Sequence, residues 1–228
     1  MTDPEPLSLR SRLKHAGRLV AFAMALLGLA DVLGFLCSRY IRVNLSPSLP
    51  LGLYRPVPLP LARNRLVSAC LPPSIARLGR ARSYLPPGPC PGDSAPVLKY
   101  LAALPGDIVE VSHSGVAVDD RPLRHSFGCR VDSRGRGLHP VPPGRYRLRG
   151  CYWLAAPHPK SWDSRYFGCV PRESLRKVVT PWLTTSPPSP IGDFRARNSP
   201  RRDSRHCLVL EGVRKGLFSR CFPEETIR

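Results

Sequence analysis

An uninterrupted apolar run over residues 19–37 restricts what the N-terminal part of the chain can form. The run is 19 residues long and contains one charged residue, Asp31. A helix of this length rises about 28 Å, close to the hydrocarbon thickness of a bilayer. Asp31 opposes insertion, but it lies past the centre of the run, and the many Leu, Phe and Val residues offset it. We therefore predict one transmembrane helix over residues 19–37, preceded by a basic segment, residues 1–18.

A cleaved secretory signal is the alternative to a retained helix. The apolar region of such a signal is usually about 7 to 15 residues long, and no small-x-small cleavage site follows this run before Arg39. Four basic residues precede the run and three follow it, so the positive-inside rule favours a cytoplasmic N-terminus by a narrow margin. These residues are Arg10, Arg12, Lys14 and Arg18 before the run, and Arg39, Arg42 and Arg55 after it.

Prolines and glycines predict short strands for the rest of the chain. The sequence contains 28 prolines and 18 glycines among 228 residues, which favours many turns over long helices. Strand-like runs separated by turn residues occur throughout residues 44–183. The runs are RLVSACL, APVLKYLAAL, GDIVEVS, GVAVDD, GRYRLRGCYWLAA and RKVVTPWL. We expect one mainly β domain over residues 44–183.

Two segments differ in composition from this domain. Residues 83–94, SYLPPGPCPGDS, are rich in proline and glycine, and we interpret them as an exposed insertion. From residue 186 the chain loses its apolar alternation. Residues 186–228 are therefore predicted to be a disordered, basic, low-complexity tail.

The net charge indicates an anionic partner. The formal charge is +19 at pH 7, which suits nucleic acid or the head groups of a lipid bilayer. Arginine is spread along the whole chain, and the aromatic content of 7% shows no repeated stacking pattern. Charge alone does not choose between the two, but both features weaken the interpretation as a nucleic-acid-binding protein.

The cysteines show no metal-binding pattern. None of the eight forms a CxxC pair or a Cys/His spacing typical of zinc ligands, so no structural zinc is expected. In an oxidising compartment some of four cysteines could form disulfides, in pairings that the sequence leaves open. The four are Cys90, Cys129, Cys151 and Cys169.

Two closely spaced serines follow the apolar run. In NLSPSLPLGLYRPVP, residues 44–58, Pro47 and Pro50 flank Ser48, and Pro47 separates it from Ser46. Because proline fixes φ and lacks an N–H, this stretch is stiff and cannot lie inside a helix. Taken alone, the serines would be hydroxyls that cap turns in a linker. Alternatively, one serine is a nucleophile and the other supplies a hydroxyl that assists it.

A single lysine could supply the base that such a nucleophile needs. Lys99 is the one charge in APVLKYLAAL, which reads as a buried strand. An amine must be desolvated to act as a base near neutral pH. The alternative is an edge-strand lysine that points to solvent. The segments LPGDIVEV, residues 104–111, and SWDSRYFGCVP, residues 161–171, follow in order.

Taken together, these motifs resemble the signal peptidase I family of membrane-anchored Ser/Lys endopeptidases over residues 19–183. The chain is most similar to the conjugative-transfer branch, the TraF-type peptidases that mature pilin subunits. SPSLPLGLY resembles the nucleophile motif, and LKYLAALPGDIVEV resembles the segment with the general base. The resemblance implies Ser48 as nucleophile, Lys99 as base and Ser46 as an oxyanion donor beside the Ser48 N–H.

The last motif completes the resemblance. SWDSRYFGCVP is similar to the family segment in which a serine positions the lysine, here Ser161, while Asp163 and Arg165 brace the site. Leu49 stands where ordinary signal peptidases have methionine, and APHPKSWDSR lacks their Gly-Asp-Asn. The leucine is a volume-conserving change that should be tolerated. The missing Gly-Asp-Asn resembles the transfer branch and argues against general secretory duty. The resemblance implies neither a metal nor an organic cofactor.

The resemblance implies a signal-peptidase-like β domain on the periplasmic, outer face of a bacterial inner membrane, held by one span. Its substrate would be an exported precursor protein or a pilin subunit. The peptidase itself would act alongside components of a type IV secretion or conjugation apparatus. The acyl-enzyme could be resolved by water or by a peptide amine that closes a ring. Two alternatives stay open: a non-enzymatic, basic, membrane-tethered component that binds nucleic acid or anionic lipid, and a protein that keeps the fold without the activity.

Overall fold

The computed structural model describes residues 9–192. The chain divides into two compact units, Met1–Arg42 and Val43–Arg228. The first contains one helix, α1, Leu9–Tyr40. Within it, His15–Phe35 is long and apolar enough to cross a membrane, with a mean hydropathy of 1.8 and none of the window buried. The helix starts earlier than the predicted residue 19 because Arg, Lys and Leu, which dominate the preceding residues, are good helix formers.

The second unit is mainly β, as predicted. Its strands are β1 (Arg42–Asn44), β2 (Gly52–Val57), β3 (Leu66–Ala69), β4 (Pro87–Cys90), β5 (Val97–Ala103), β6 (Ile108–Ser112), β7 (Gly115–Val118), β8 (Arg121–Pro122), β9 (Gly144–Arg147), β10 (Cys151–Ala155), β11 (Val170–Pro171) and β12 (Leu175–Thr184). Two short α-helices, α2 (Pro73–Ala81) and α3 (Ser164–Phe167), and a 3₁₀ turn, Arg172–Ser174, complete it.

Most of these strands belong to two sheets. A seven-stranded sheet has the order β1-β2-β12-β3-β5-β10-β11, and a four-stranded sheet has the order β8-β7-β6-β9. Strand β5 pairs antiparallel with β3 and β10, and all seven of its residues are buried. Alternate β5 residues enter two different apolar clusters: Leu98 and Tyr100 the first, Val97 and Leu101 the second. Because both faces are covered, β5 reads as a continuous apolar run.

The LPGD turn connects β5 to the smaller sheet. Gly106 has a φ of +96°, a conformation that L side chains rarely adopt. The Asp107 carboxylate accepts hydrogen bonds from the Leu104 N–H at 2.8 Å and from Arg63 Nε at 2.8 Å. The motif between the two sheets is therefore a structural turn, held by its own aspartate and a neighbouring arginine.

The interpretation of residues 83–94 as an exposed insertion is wrong in part. Strand β4 lies within this range, Leu85 and Cys90 are buried, and Ser94 is fully buried. A disulfide between Cys70 and Cys90 ties β4 to the end of β3. Since the segment is fastened at Cys90 and covers apolar side chains, it packs on the domain instead of projecting into solvent.

Two disulfides lie among the described residues. Besides Cys70–Cys90, a second bond joins Cys151 of β10 to Cys169, just after α3, with a Cα–Cα distance of 5.6 Å. All four expected cysteines are disulfide-bonded: Cys90, Cys151 and Cys169 in these two bonds, and Cys129 as well. Cys70 was not among those four. Its pairing with Cys90 depends on the tertiary contact between two segments 20 residues apart, which the sequence does not show.

The predicted tail begins within the folded domain. Ile191 is fully buried in the core, and its carbonyl accepts a hydrogen bond from the Arg124 N–H at 2.8 Å. The domain therefore continues past residue 183, up to at least residue 192. The rest of the predicted tail, residues 193–228, lies outside the described residues.

Candidate active site

The two serines lie on the loop between β1 and β2, residues 45–51, here called the serine loop. Ser46 Oγ is 2.9 Å from Ser48 Oγ, and the Ser48 N–H points to Ser46 Oγ at 3.4 Å. Ser48 is 8% exposed. The loop therefore brings two hydroxyls and one backbone donor to a single point at the edge of the core.

Asn44, at the end of β1, holds the serine loop in this shape. Its side-chain nitrogen lies 3.0 to 3.1 Å from the carbonyl oxygens of Ser46, Leu49 and Pro50. Its side-chain oxygen accepts from the Ser46 N–H at 3.2 Å, which forms an Asx turn. Sequence reasoning missed this residue. An Asn two positions before Ser46 was the local sign of such a turn.

Gly52 and Tyr54, the Gly-Leu-Tyr end of SPSLPLGLY, lie on β2 and support the same loop. Gly52 has a φ of +138°, and a Cβ there would lie 2.1 Å from the Leu183 carbonyl oxygen, so no larger residue fits. The Tyr54 hydroxyl donates a hydrogen bond to the Pro50 carbonyl at 2.8 Å. Tyr54 is fully buried, and this contact fastens the end of the serine loop to β2.

Lys99 lies on β5 between the two hydroxyls it contacts. Its Nζ donates to Ser48 Oγ at 3.0 Å and to Ser161 Oγ at 2.7 Å. The side chain is 5% exposed. Burial lowers the pKa of Lys99 to about 8; the Asp163 carboxylate opposes this shift, and the Arg165 guanidinium adds to it. A large share of the amine is therefore neutral only slightly above neutral pH.

Asp163 and Arg165 form a buried ion pair behind Ser161. Arg165 Nε and Nη2 donate to the two carboxylate oxygens of Asp163, each at 2.8 Å. Asp163 also caps α3 by accepting from the Arg165 N–H, and it accepts from the Ala156 N–H after β10. Because the carboxylate is held by the guanidinium, it forms no hydrogen bond with Lys99.

Arg165 also fixes the segment that carries Ser161. The remaining guanidinium hydrogen bonds go to backbone carbonyls, and one of these is that of Ser161 itself at 3.0 Å. The other carbonyls belong to His125, Phe127, His158 and Pro159. The Cys151–Cys169 disulfide ties the far end of α3 to β10. The serine beside the lysine is thus placed by a rigid, buried support.

An open cleft of about 350 Å³ lies beside Ser48. One wall is the serine loop, and the others come from two separate segments of the domain. The lining residues are Pro47, Ser48, Leu49, Pro50, Leu51, Pro157, His158, Thr185, Ser186, Pro187 and Ser189. Ser48 therefore belongs to the lining of this cleft, whereas Lys99 does not.

His158 is a second residue that sequence reasoning left unassigned. It is half-buried, and its Nδ1 accepts from the Lys160 N–H at 3.2 Å. Burial lowers its pKa, and the positive charges of Arg165 and Lys99 add to the shift. A neutral imidazole therefore faces the cleft. No group of three or more His, Cys, Asp and Glu within residues 9–192 is arranged to hold a metal ion.

All six residues predicted from the sequence converge on this site. Ser46, Ser48, Lys99 and Ser161 form one chain of hydrogen bonds, while Asp163 and Arg165 support its far end. A hydroxyl joined to a desolvated amine at an open cleft is the arrangement that a serine peptidase with a lysine base requires. The mainly β domain therefore carries, at one point, a serine hydroxyl joined to a buried amine beside an open cleft.

The chain belongs to the signal peptidase family, peptidase S26, and to its TraF-type branch. The sequence model of the family matches residues 14–182. The conjugal transfer protein TraF of Agrobacterium fabrum is 38% identical over 179 residues, which cover 75% of this chain and 96% of that protein. A plasmid transfer protein TraF of Escherichia coli is 34% identical, with 63% and 82% covered.

A solved structure also matches. A signal peptidase I from Enterococcus faecalis is 18% identical, with a TM-score of 0.30, over 54% of this chain and 98% of that chain. A TM-score of this size carries no structural argument. Membership of the family therefore rests on the sequence matches.

Proposed function

We propose that this chain is a membrane-anchored serine endopeptidase that cleaves leader peptides of exported proteins, with Ser48 as nucleophile and Lys99 as general base. The observation that carries the proposal is the position of Lys99 Nζ, 3.0 Å from Ser48 Oγ and 2.7 Å from Ser161 Oγ. These distances are within the reach that proton transfer needs. The buried amine, with a pKa of about 8, can accept the serine proton near neutral pH.

The first half of the reaction forms an acyl-enzyme. Ser48 Oγ attacks the carbonyl carbon of the scissile bond while its proton passes to Lys99 Nζ. The developing oxyanion accepts hydrogen bonds from the Ser48 N–H and the Ser46 hydroxyl, which lie beside the attacking oxygen. The Lys99 ammonium then gives its proton to the leaving amine. The C–N bond breaks, and an ester to Ser48 remains.

The second half releases the product. Lys99, neutral again, takes a proton from the incoming nucleophile, which attacks the ester carbonyl, and Ser48 recovers its proton. Water as nucleophile gives a cleaved precursor, and a peptide amine gives a closed ring. Ser161 holds the lysine toward Ser48 in both halves, and the Asp163–Arg165 pair keeps Ser161 in place.

The names of the relatives support a substrate class. Relatives from Agrobacterium and Escherichia coli are named conjugal or plasmid transfer proteins. We infer that this chain processes an exported precursor of a conjugation or type IV secretion apparatus, with a pilin subunit as the leading candidate. The open cleft beside Ser48 suits an extended, flexible segment of such a precursor.

The apolar helix supplies the anchor. We propose that α1 spans the bacterial inner membrane once, with the N-terminus in the cytoplasm and the β domain on the outer, periplasmic face. A periplasmic location agrees with the two disulfides, which form in oxidising compartments. A reporter fused after Arg228, and active only outside the cytoplasm, tests this orientation without cutting into the folded part of the domain.

The peptidase proposal is tested by labelling the full-length protein in detergent with a serine-reactive acylating probe. We expect the parent protein to become labelled and Ser48→Ala to stay unlabelled. Ser112→Ala removes an exposed hydroxyl far from the site and serves as the matched control, which should label like the parent. Equal labelling of the parent and Ser48→Ala, or labelling of neither, would reject Ser48 as the nucleophile.

A second candidate function follows from the formal charge of +19, which favours a basic tether that binds anionic lipid or nucleic acid. It predicts binding that weakens as salt rises, together with no acylation of Ser48. Lys99→Arg separates the two candidates. It keeps the charge but provides no base, so it abolishes the peptidase and leaves a charge-driven binder intact.

A further inference from the structure

Trp162 directly follows the serine that contacts the lysine. Ser161 Oγ accepts from Lys99 Nζ at 2.7 Å. The half-buried Trp162 ring packs against the apolar cluster that contains Leu85 and Phe167. The segment therefore carries a polar contact to the candidate base at one residue and an apolar anchor at the next.

Two other aromatic rings hold the ring of Trp162. The Phe167 ring of α3 lies 5.3 Å from it, measured between centroids, in an edge-to-face arrangement. The Tyr84 ring, which follows α2, lies at the same centroid distance of 5.3 Å and is tilted by 49°. Arrangements of this kind are favoured by the charge distribution of aromatic rings. The indole is thus contacted by rings from two separate segments.

Tyr84 is itself held in place. Its hydroxyl donates to the Asp132 carboxylate at 2.6 Å, and Arg136 Nε donates to the same carboxylate at 2.7 Å. The guanidinium carbon of Arg136 lies 5.4 Å from the centroid of the Tyr84 ring. Because Tyr84 is fastened at its hydroxyl and contacted on its face, it forms a fixed support for Trp162.

Gly79 of α2 provides the space that the indole fills. Gly79 is buried, and a Cβ there would lie 2.6 Å from Trp162 Cζ3 and 2.8 Å from Leu85 Cδ1. Glycine is less favourable than alanine inside a helix, so this position sacrifices helix propensity. The missing side chain allows the indole to approach α2 this closely.

The anchored indole limits where Ser161 can place its hydroxyl. The two residues share a peptide unit, so a shift of the Trp162 ring moves the backbone that carries Ser161 Oγ. Arg165 holds this backbone at the Ser161 carbonyl, at 3.0 Å, and the Ser161 N–H donates to the His158 carbonyl at 3.0 Å. The indole adds a third point of support, from the side of α2.

We propose that Trp162 is a positioning residue of the peptidase. Its ring, seated against Gly79 of α2, keeps the Ser161 hydroxyl where it aims the Lys99 amine. This inference rests on the proposed peptidase function. Trp162 is not part of the cleft lining, so its replacement should change kcat and leave KM nearly unaltered. Its effect should also disappear when the Ser161 hydroxyl is absent.

The first experiment measures hydrolysis of the p-nitrophenyl ester of N-acetylalanine by the full-length protein in detergent, with Ser48→Ala as the background. Trp162→Ala should lower kcat about 10- to 100-fold, as misplacement of a catalytic group typically does. The same substitution in the Ser161→Ala protein should lower kcat by less than about twofold, because residues that act through one another are not additive.

The second experiment displaces the indole without removing it. Gly79→Ala adds one methyl group against the ring and should lower kcat about three- to tenfold with KM unchanged, although alanine is the better helix former. In the Trp162→Phe protein the same methyl group enters space left by the smaller ring, so kcat should not fall further. Gly137→Ala, where no atom lies within 4 Å of the added Cβ, is the matched control and should keep the parental kcat.

Thermal melting establishes that each variant is folded, and the outcomes then separate this inference from the function on which it rests. Equal losses from Trp162→Ala with and without the Ser161 hydroxyl would show that the indole serves the fold alone. Parental kcat in Gly79→Ala, or an equal loss in Gly137→Ala, would also overturn the proposal. If the parent neither hydrolyses the ester nor reacts with the acylating probe, the peptidase proposal fails first, and this inference fails with it.

Discussion

Lys99 Nζ lies 3.0 Å from Ser48 Oγ although the two residues are 51 positions apart in the chain. Ser48 follows β1 at one edge of the seven-stranded sheet, and Lys99 lies on β5, four strands away in the order of that sheet. In a flat sheet, four strand spacings amount to about 19 Å. The contact between the two side chains therefore requires a curled sheet whose edge loop returns over the central strand.

The pKa of Lys99 makes the pH profile the first prediction. Below a pKa of about 8 the lysine is protonated and cannot accept the Ser48 proton. We expect kcat/KM for the p-nitrophenyl ester of N-acetylalanine to rise about tenfold per pH unit at low pH and to level off above pH 8. Steady-state assays from pH 5.5 to 10 measure this, after subtraction of spontaneous hydrolysis measured with Ser48→Ala. A limb centred above pH 10 would mean that the base is a solvated lysine.

The same pKa predicts a pH-dependent stability. In the unfolded chain Lys99 titrates at 10.5, and in the folded protein at about 8, so the unfolded chain binds more protons between these values. The free energy of unfolding therefore rises with pH across this window, and below it the buried ammonium costs about 3 kcal/mol. Lys99→Met removes this term.

Denaturant unfolding of both proteins, followed by tryptophan fluorescence, checks that prediction. The Lys99→Met variant should gain stability relative to the parent at pH 7, and the difference should shrink towards pH 10.5. A difference that stays constant across this range would show that Lys99 titrates normally in the folded state.

Ser161 is predicted to position the lysine. Ser161→Ala removes the acceptor 2.7 Å from Lys99 Nζ, so the amine is no longer aimed at Ser48. We expect kcat to fall about 10- to 100-fold, as misplacement of a catalytic group typically does, while KM changes little because Ser161 does not line the cleft. Ser161→Thr retains the hydroxyl and should recover most of the rate. Equal rates for the alanine and threonine variants would contradict this role.

Asp163 links stability to catalysis. Asp163→Asn leaves the Arg165 guanidinium buried without its counter-charge, which should lower the free energy of unfolding by about 3 to 5 kcal/mol. It also removes the charge that raises the pKa of Lys99, so the pH limb of kcat/KM should move to lower pH. Denaturant unfolding and pH profiles measure the two effects.

The partly exposed pair of Arg63 and Asp119 provides the matched control for Asp163. Asp119→Asn should cost no more than about 1 kcal/mol, because solvent screens that pair. The pH limb should not move in this variant. Similar losses of stability in both variants would argue against a special role for the buried pair.

Asn44 is predicted to keep the serine loop in its reactive shape. Asn44→Asp preserves the size and the Asx-turn acceptor but loses the donors to three loop carbonyls. We expect the rate of probe labelling at Ser48 to fall by about tenfold or more, because the nucleophile and its oxyanion donors lose their alignment. Labelling at the parental rate would show that the prolines alone hold the loop.

Much of the fold was predictable because its causes are local. The runs that become β5, β6 and β12 are visible as apolar or alternating segments between turn residues, and Gly106 marks the turn after β5. The order of the serine, lysine and Ser161 motifs pointed to the same site. In contrast, strand β4, the partner of Cys90 and the burial of Ile191 were not predictable, since each depends on contacts between distant parts of the chain.

The sequence by itself determined the elements and the chemical groups: an apolar helix of bilayer length, serines held between prolines, and one lysine inside an apolar strand. Only the tertiary structure decided which of these groups meet. Curling of the sheet brings Ser48 to Lys99, burial by neighbouring strands lowers the lysine pKa, and Asn44 and Ser161 hold the two groups in place. Local pattern depends on backbone and side-chain preferences of adjacent residues, whereas desolvation and hydrogen-bond geometry depend on what the completed fold places nearby.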